Sequence, residues 1–408
     1  MKGLAHTAAL AACLLVLLCG AAMAGATPDY QQVKAGRYQA ILADCMGCHT
    51  RQGGKLFAGG APLQTPFGKL TAPNITPDND TGIGVWSEAQ FRRAVKQGVA
   101  PDGQLLYPAM PYPNYARMSD DDVARIWDYL QTIEPVRSSV QTNQLAWPFN
   151  IRALMAGWNW HYFKPSPIRP DAGKSAEWNR GAYIVGGPGH CDTCHTAKSL
   201  FGANTGAPLG GASLQGWFAP DITKDAKRGV GSWSVADVAA YLKTGHNTYS
   251  MASGPMAEAI EDSTSKMNDP DLQAIAVYLK DAPAPGAMLE SGVDKNDVRM
   301  QAGAAIYRDN CQACHGADGR GESIIFPPFT GNPIISQTSG ETLARVVLAG
   351  TQSADTPGAP TQSAMPSFAW RLNDTQVADV LTYIRASWGG AGPVSTGTVG
   401  QVRSMLQH

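Results

Sequence analysis

Three segments of the chain carry apolar residues at the spacing of an amphipathic helix. They cover 123–130, 272–279 and 377–384, and in each the apolar positions recur at i, i+3, i+4 and i+7. This spacing places the apolar side chains on one helical face, so each segment is predicted to be a helix with one buried side. The recurrence of one pattern indicates three structural units built in the same way.

A second predicted helix opens each unit and contains a glycine followed by a tyrosine. The pairs are Gly36 with Tyr38, Gly181 with Tyr183, and Gly303 with Tyr307. Because glycine has no side chain, two helices can approach closely at that position. We therefore expect the opening and closing helices of each unit to cross at the glycine, with aromatic side chains filling the crossing.

The repeated blocks divide the chain into units and connecting segments. We expect units at 25–134, 179–281 and 295–389, linkers at 135–178 and 282–294, and a tail at 390–408. The shorter linker is a Pro/Ala/Gly connector. The longer linker is rich in aromatic residues from Trp147 to Phe163. It is interpreted either as a packed helix joining two units or as a docking surface for a partner or the membrane.

The tail and the first residues bear on where the protein resides. Residues 1–24 resemble a secretory signal, with Lys2, an apolar stretch from Leu10 to Leu18 and a cleavage site ending at Ala24. A lipoprotein site at Cys19 is a weaker alternative. In the tail, Val399, Val402, Met405 and Leu406 form a short apolar stripe that would anchor the chain only weakly to a membrane. The mature protein is thus expected in the periplasm, associated with the outer face of the cytoplasmic membrane.

Charge and composition narrow the function further. The net charge of −1 and the charged fraction of 16% exclude a polybasic nucleic-acid-binding protein. The chain also lacks a GxGxxG fingerprint, a phosphate-binding loop and any convincing nucleophile–base or paired-carboxylate site. No catalysis is therefore expected from this chain alone.

The decisive motif is C-x-x-C-H, which occurs once in each unit. Its residues are Cys45, Cys48 and His49, then Cys191, Cys194 and His195, then Cys311, Cys314 and His315. This is the attachment motif of a c-type haem, in which two thiols bind the porphyrin and the histidine binds the iron. A zinc site would need further ligands, and a redox dithiol would not need the histidine. We predict three covalently bound haem c groups in an all-α protein of three tandem class I cytochrome c-like domains joined by Pro/Gly-rich linkers.

The second axial ligand of each iron is expected to be a methionine. Met118 and Met267 precede the caps of the closing helices, at the place that Leu372 takes in the third unit, and are therefore interpreted as packing residues. Met110 and Met365 are then the candidates in units one and three. Unit two offers Met256, which follows its histidine by 256 − 195 = 61 residues, as Met110 follows His49 (110 − 49 = 61), and Met251 as the alternative. Six-coordinate irons would transfer single electrons rather than bind substrates.

The whole mature chain resembles the triheme cytochrome c subunits of periplasmic membrane dehydrogenases. The likeness rests on the three motifs and on segments such as Leu106–Tyr112, Trp147–Asn150, Glu177–Gly181 and Ser253–Glu258. It implies a catalytic partner with flavin or pyrroloquinoline quinone that oxidises sugars or alcohols. It also implies electron delivery to ubiquinone, an oxidase or a soluble carrier. The alternatives are the electron-transfer subunit of a molybdenum hydroxylase, a freestanding periplasmic carrier, and a haem enzyme with one open iron.

Overall fold

The computed structural model describes residues 29–286, 292–322 and 325–407. The predicted signal at 1–24 lies outside these ranges, as does part of the predicted linker at 282–294. Over the described residues the chain is mostly helical, and short antiparallel strands accompany the helices in every unit. Within those residues, none of the helices has the length and apolar character needed to cross a membrane.

The first two units have the same order of elements. Unit one consists of α1 (Tyr30–Leu42), α2 (Cys45–His49), β1 (Pro62–Thr65), β2 (Gly68–Thr71), α3 (Glu88–Gln97), α4 (Tyr112–Tyr115) and α5 (Asp120–Leu130). The linker adds β3 (Asn143–Leu145) and α6 (Met155–Tyr162). Unit two consists of α7 (Ala176–Gly186), α8 (Asp192–His195), β4 (Ala212–Leu214), β5 (Trp217–Ala219), α9 (Val235–Thr244), α10 (Pro255–Asp262) and α11 (Asp269–Leu279).

The third unit is shorter and ends in an additional helix. It consists of α12 (Val298–Asn310), α13 (Gln312–His315), α14 (Glu341–Ala349), β6 (Thr351–Gln352), β7 (Ala364–Met365) and α15 (Asp374–Ile384), followed by α16 (Thr396–Leu406). A hydrophobic core fills each unit, with Val123, Leu272 and Val377 of the closing helices almost completely buried.

The closing helices start at side-chain caps, as the sequence predicts. Ser119, Asn268 and Asn373 each accept a hydrogen bond from the amide three residues further on, at 3.1, 2.8 and 3.0 Å. The residue before each cap is buried in the core of its unit: Met118 and Met267 are each 2% exposed and Leu372 is 5% exposed. These positions therefore act as hydrophobic packing residues at the helix start.

The glycines of the opening helices lie where the closing helices cross them. A Cβ atom on Gly36 or Gly181 would lie 1.9 Å from a backbone carbonyl oxygen of the closing helix, and one on Gly303 would lie 2.3 Å from it. The expected close crossing is therefore present in all three units. The pairing of Gly303 with Tyr307 is nevertheless not equivalent to the other two, because Tyr307 lies four residues after its glycine and is buried in the core.

The long linker packs against unit one with one face and exposes the other. The Tyr112 hydroxyl donates to Asn159 Oδ1 of α6 at 2.6 Å, and the ring of Trp158 meets the ring of Tyr112 edge to face. On the opposite face Leu154 and Trp160 are 51% and 79% exposed. The inner face of the linker helix is therefore packed against unit one, and its outer face is exposed.

The tail differs from the expected membrane anchor. Val399 and Val402 of α16 are buried at 0% and 1% exposure in the core of unit three, and Leu406 packs against the same core. Arg403 fixes the helix through an ion pair from its Nε to Asp374 Oδ1 at 2.6 Å. Three of the four residues of the predicted apolar stripe therefore pack on unit three, while Met405 is 52% exposed.

Candidate functional site

The three C-x-x-C-H motifs form one short helix each, directly after the opening helices. In unit one the turn before the motif is made by Asp44 in the left-handed conformation, with φ 47°. The six cysteines of the described residues are free thiols, so none is used by a disulfide. Burial raises the pKa of the Cys48 thiol to about 12, with smaller contributions from Asp44 and from Cys194 of the second motif. The first two motifs are therefore close neighbours.

The imidazoles of the first two motifs are oriented by proline carbonyls. Nδ1 of His49 lies 2.7 Å from the carbonyl oxygen of Pro73, and Nδ1 of His195 lies 2.7 Å from that of Pro220. An Nδ1–H that donates to a carbonyl leaves the lone pair of Nε2 free for a metal. Burial lowers the pKa of both histidines, which favours the neutral, ligating form.

The third imidazole is held differently. The ring of His315 stacks on Phe329 with centroids 4.7 Å apart and an interplanar angle of 22°. Its Nδ1 is buried without a hydrogen-bond partner among the described residues. Burial lowers the pKa of His315, and the carbonyl of Pro327 acts in the opposite sense. No hydrogen bond from His315 Nδ1 to a described residue therefore matches those that orient His49 and His195 in the other units.

Each candidate methionine packs on the same core as the first cysteine of its motif. The side chains of Met110 and Cys45 line the core of unit one, Met256 and Cys191 that of unit two, and Met365 and Cys311 that of unit three. All three methionines are half-buried. In each unit the first cysteine of the motif and the candidate methionine thus share one apolar core.

Equivalent backbone hydrogen bonds in units one and two precede Met110 and Met256. The amide of Leu106 donates to the carbonyl of Gly98 at 2.8 Å, and the amide of Ala252 donates to that of Gly245 at 2.7 Å. Both glycines end the preceding helix in the left-handed conformation. Counting four residues from each donor reaches Met110 in unit one and Met256 in unit two, since 110 − 106 = 256 − 252 = 4.

Met251 occupies a different environment. It pairs with His246 in an isolated β-bridge and lines a cleft together with Ser353 and Ala354 of unit three. In unit three, Met365 of β7 is the antiparallel β-partner of Thr351. Thr351 directly follows Gly350, which has φ 73°. The methionine of unit three therefore also follows a glycine of positive φ that ends the preceding helix.

The donor set of each unit fits haem c. Paired free thiols one helical turn apart, an imidazole and a candidate thioether are the groups that would attach the porphyrin and bind its iron. Within the described ranges, no group of three or more His, Cys, Asp or Glu side chains comes together as a metal site.

Comparison with known proteins agrees with this chemistry. The family model described as Cytochrome c matches residues 33–134 and 300–388. The chain is 38% identical to a gluconate 2-dehydrogenase cytochrome c subunit of Pantoea cypripedii, over 96% of this chain and 94% of that one. It is 36% identical to the cytochrome c subunit of a quinone alcohol dehydrogenase of Gluconobacter oxydans, over 92% and 83%. The chain belongs to the family of dehydrogenase cytochrome c subunits.

A third relative is part of a different dehydrogenase. A nicotinate dehydrogenase subunit of Pseudomonas putida is 38% identical over 90% of this chain, and the match covers 31% of that longer protein. As a cytochrome subunit, the present chain transfers electrons within a dehydrogenase complex.

The proline carbonyls are functional groups of this cytochrome that the sequence reasoning missed. Pro73 and Pro220 begin the matching segments Pro73–Thr76 and Pro220–Thr223 of units one and two. The match between these two segments was the sequence feature that pointed to a common role. In the structure their first residues, Pro73 and Pro220, orient His49 and His195.

Proposed function

We propose that the chain is a three-haem cytochrome that relays electrons from a catalytic dehydrogenase subunit to ubiquinone or another respiratory acceptor. The haem-attaching and iron-binding residues of the three units are Cys45, Cys48, His49 and Met110, then Cys191, Cys194, His195 and Met256, then Cys311, Cys314, His315 and Met365. The observation that carries the proposal is the threefold repetition of one donor set, each around its own core.

The residues of the chain determine what each site does. Haem iron supplies a one-electron couple, and a methionine ligand raises its reduction potential relative to a second histidine. The carbonyls of Pro73 and Pro220 orient His49 and His195. When haem is bound, Met110, Met256 and Met365 would each supply a second ligand to an iron, so no iron would have a free position for oxygen or peroxide. The chain would then transfer electrons and leave substrate oxidation to its partner.

The partner is proposed to oxidise a sugar or an alcohol, using flavin or pyrroloquinoline quinone. The likeness to cytochrome subunits of gluconate and alcohol dehydrogenases over nearly the whole chain supports this class. A specific observation favours a second candidate, a molybdenum hydroxylase, because a subunit of nicotinate dehydrogenase contains a comparable segment. The role of this chain is the same in both cases. A freestanding periplasmic carrier would have no such partner.

Peripheral membrane contact is proposed for the outer face of the long linker. On that face Ile151, Leu154 and Trp160 are 42%, 51% and 79% exposed. Between 135 and 170 the chain contains four cationic residues and no Asp or Glu: Arg137, Arg152, Lys164 and Arg169. Exposed tryptophan with flanking cations is typical of an element that lies in the interface of an anionic membrane.

Vesicle binding tests this contact. The holoprotein is expected to sediment with vesicles that contain anionic phospholipid, and Leu154→Ser with Trp160→Ser should reduce the bound fraction. Val85→Ser, at a position that is 70% exposed on unit one, is the matched control. Binding that is equal for both variants would exclude this face as the membrane contact, and binding of a purified dehydrogenase subunit instead would assign the face to that partner.

Measurements of how many haems are attached, and of whether their irons bind an external ligand, test the central proposal. Mass spectrometry of the holoprotein should show three covalent haems, and the reduced protein should not bind carbon monoxide at neutral pH. A count of two, or carbon monoxide binding by one iron, would contradict the three closed sites. The latter result would favour a haem enzyme.

A further inference from the structure

The first two units are joined by two equivalent hydrogen-bonded contacts, here called the tyrosine clasps. The Tyr38 hydroxyl of unit one donates to Asp271 Oδ2 of unit two at 2.7 Å and accepts from the amide of Asn268 at 3.2 Å. The Tyr183 hydroxyl of unit two donates to Asp122 Oδ2 of unit one at 2.6 Å and accepts from the amide of Ser119 at 3.1 Å.

The two clasps are related by the internal repeat. Each tyrosine lies two residues after the crossing glycine of its own opening helix, since 38 − 36 = 183 − 181 = 2. Each aspartate lies three residues after the cap of the closing helix in the other unit, since 122 − 119 = 271 − 268 = 3. Each opening helix therefore binds the start of the other unit's closing helix, and the two units face each other in a pseudo-twofold arrangement.

Charge strengthens one of the clasps. Arg180 donates to Asp271 through Nε at 2.7 Å and through Nη2 at 2.8 Å, and the Asp271 side chain is only 8% exposed. Burial acts to raise the pKa of Asp271, but hydrogen bonds from Arg180 and Tyr38 lower it overall. The carboxylate is therefore charged at neutral pH and bound by residues of both units.

The haem motifs themselves lie in the contact between the two units. Asp192, inside the second motif, accepts a hydrogen bond from Asn114 Nδ2 of unit one at 2.6 Å. Met46, inside the first motif, has its sulfur 3.9 Å from Lys266 Nζ of unit two. Between them, Leu42 at the end of α1 is fully buried in the core of unit two.

The third unit has neither the tyrosine nor the aspartate of the clasps at the corresponding positions. The position two residues after its glycine is Ala305, and the residue three after its cap is Gln376, whose side chain returns to the cap amide at 3.0 Å. It contacts unit two through other groups, among them Thr342, whose hydroxyl accepts from the Phe218 amide at 2.7 Å, and Gln337, whose Nε2 donates to the Arg228 carbonyl at 2.6 Å.

From this arrangement we infer that units one and two form a fixed two-haem pair, and that Tyr38 and Tyr183 are positioning residues for direct electron exchange between the first and second haem sites. The inference rests on the proposed function. In this exchange one site loses one electron and the other gains it, no bond forms or breaks, and no proton moves. The third site then exchanges electrons with this pair across a separate contact.

Hydrogen exchange of the holoprotein tests the clasps without relying on activity. Tyr38→Phe should accelerate exchange of the Asn268 amide about three- to tenfold, the effect of losing one hydrogen bond, and should leave the Ser119 amide unchanged. Tyr183→Phe should do the reverse. Tyr30→Phe is the control, because Tyr30 lies on the same helix as Tyr38 and is 72% exposed. Unchanged exchange in both variants would overturn the clasps.

Rapid reduction of the oxidised holoprotein tests their consequence. In the double variant Tyr38→Phe with Tyr183→Phe, equilibration between the first two haems should slow severalfold, while the third haem keeps its reduction potential. If the double variant fails to retain haem, each single variant supplies the same comparison with one clasp intact. Equal rates in native and variant proteins would overturn the positioning role. Loss of substrate-driven reduction with normal exchange at both amides would instead contradict only the proposed function.

Discussion

The amide of Ala252 donates to the carbonyl of Gly245 at 2.7 Å, as the amide of Leu106 donates to that of Gly98 in unit one. Met256 follows its donor by four residues, as Met110 does, and this correspondence supports Met256 as the proposed ligand. Met251 lies before the bond, paired with His246 in a β-bridge.

The choice of ligand in unit two can be decided by substitution. Met256→Ala is expected to remove about one third of the methionine–iron charge-transfer absorbance, given one such band for each of three haems. Met251→Ala should leave the band intact, and Met267→Leu is the control for general packing at a buried position. Loss of absorbance in Met251→Ala with none in Met256→Ala would reverse the assignment.

The crossing glycines should not tolerate a side chain. Gly181→Ala places a Cβ atom 1.9 Å from the carbonyl oxygen of Ala274, so α7 and α11 must separate. We expect a loss of about 2–3 kcal/mol in the free energy of unfolding of unit two, as for other overpacked cores. Thermal unfolding of the holoprotein measures the change. In Gly157→Ala, where no atom lies within 4 Å of the added Cβ, the same substitution should be neutral or stabilising.

The Asp271 carboxylate predicts a particular pH dependence. Its pKa is lowered in the folded protein, so the group stabilises the fold at pH above its ordinary value of about 4 and loses that effect as pH falls through the folded pKa. Asp271→Asn should therefore lower the melting temperature at pH 7 and converge with the native protein in more acidic solution. A difference that stays constant with pH would show that charge is not involved.

Each haem motif should be independently removable. Replacing Cys311 and Cys314 with alanine leaves units one and two with complete donor sets, since their cores contain no residue of the third motif. We expect the covalent haem count to fall from three to two while the tyrosine clasps persist. Haem quantification and hydrogen exchange at Ser119 and Asn268 measure the two outcomes together. Loss of all haem would argue against independent units.

Local features of the fold could be predicted from the sequence because short-range rules determine them. Gly36, Gly181 and Gly303 lie at helix crossings as expected, and Met118 and Met267 pack where the cap pattern places them. The three C-x-x-C-H motifs can be recognised from their spacing, and haem attachment at all three remains a prediction. The assignment of Met110, Met256 and Met365 as ligands remains a prediction.

Contacts between units could not be predicted, because periodicity describes which face of a helix is buried and not which element covers it. The stripe of Val399 and Val402 fitted a weak membrane anchor equally well, yet the core of unit three covers it. The clasps left a trace in the sequence, tyrosine at the second position after the glycine in two units and Ala305 in the third. The role of these tyrosines can be recognised only from the structure, in which each one contacts the other unit.

Purification of the chain from its own membranes in mild detergent tests the central claim most directly. A catalytic dehydrogenase subunit should accompany it, and addition of a sugar, alcohol or aldehyde substrate should reduce the haems before any external donor is supplied. A molybdenum-containing partner would change the substrate class and keep the relay. A chain that purifies alone and that none of these substrates reduces would contradict the account and favour a freestanding carrier.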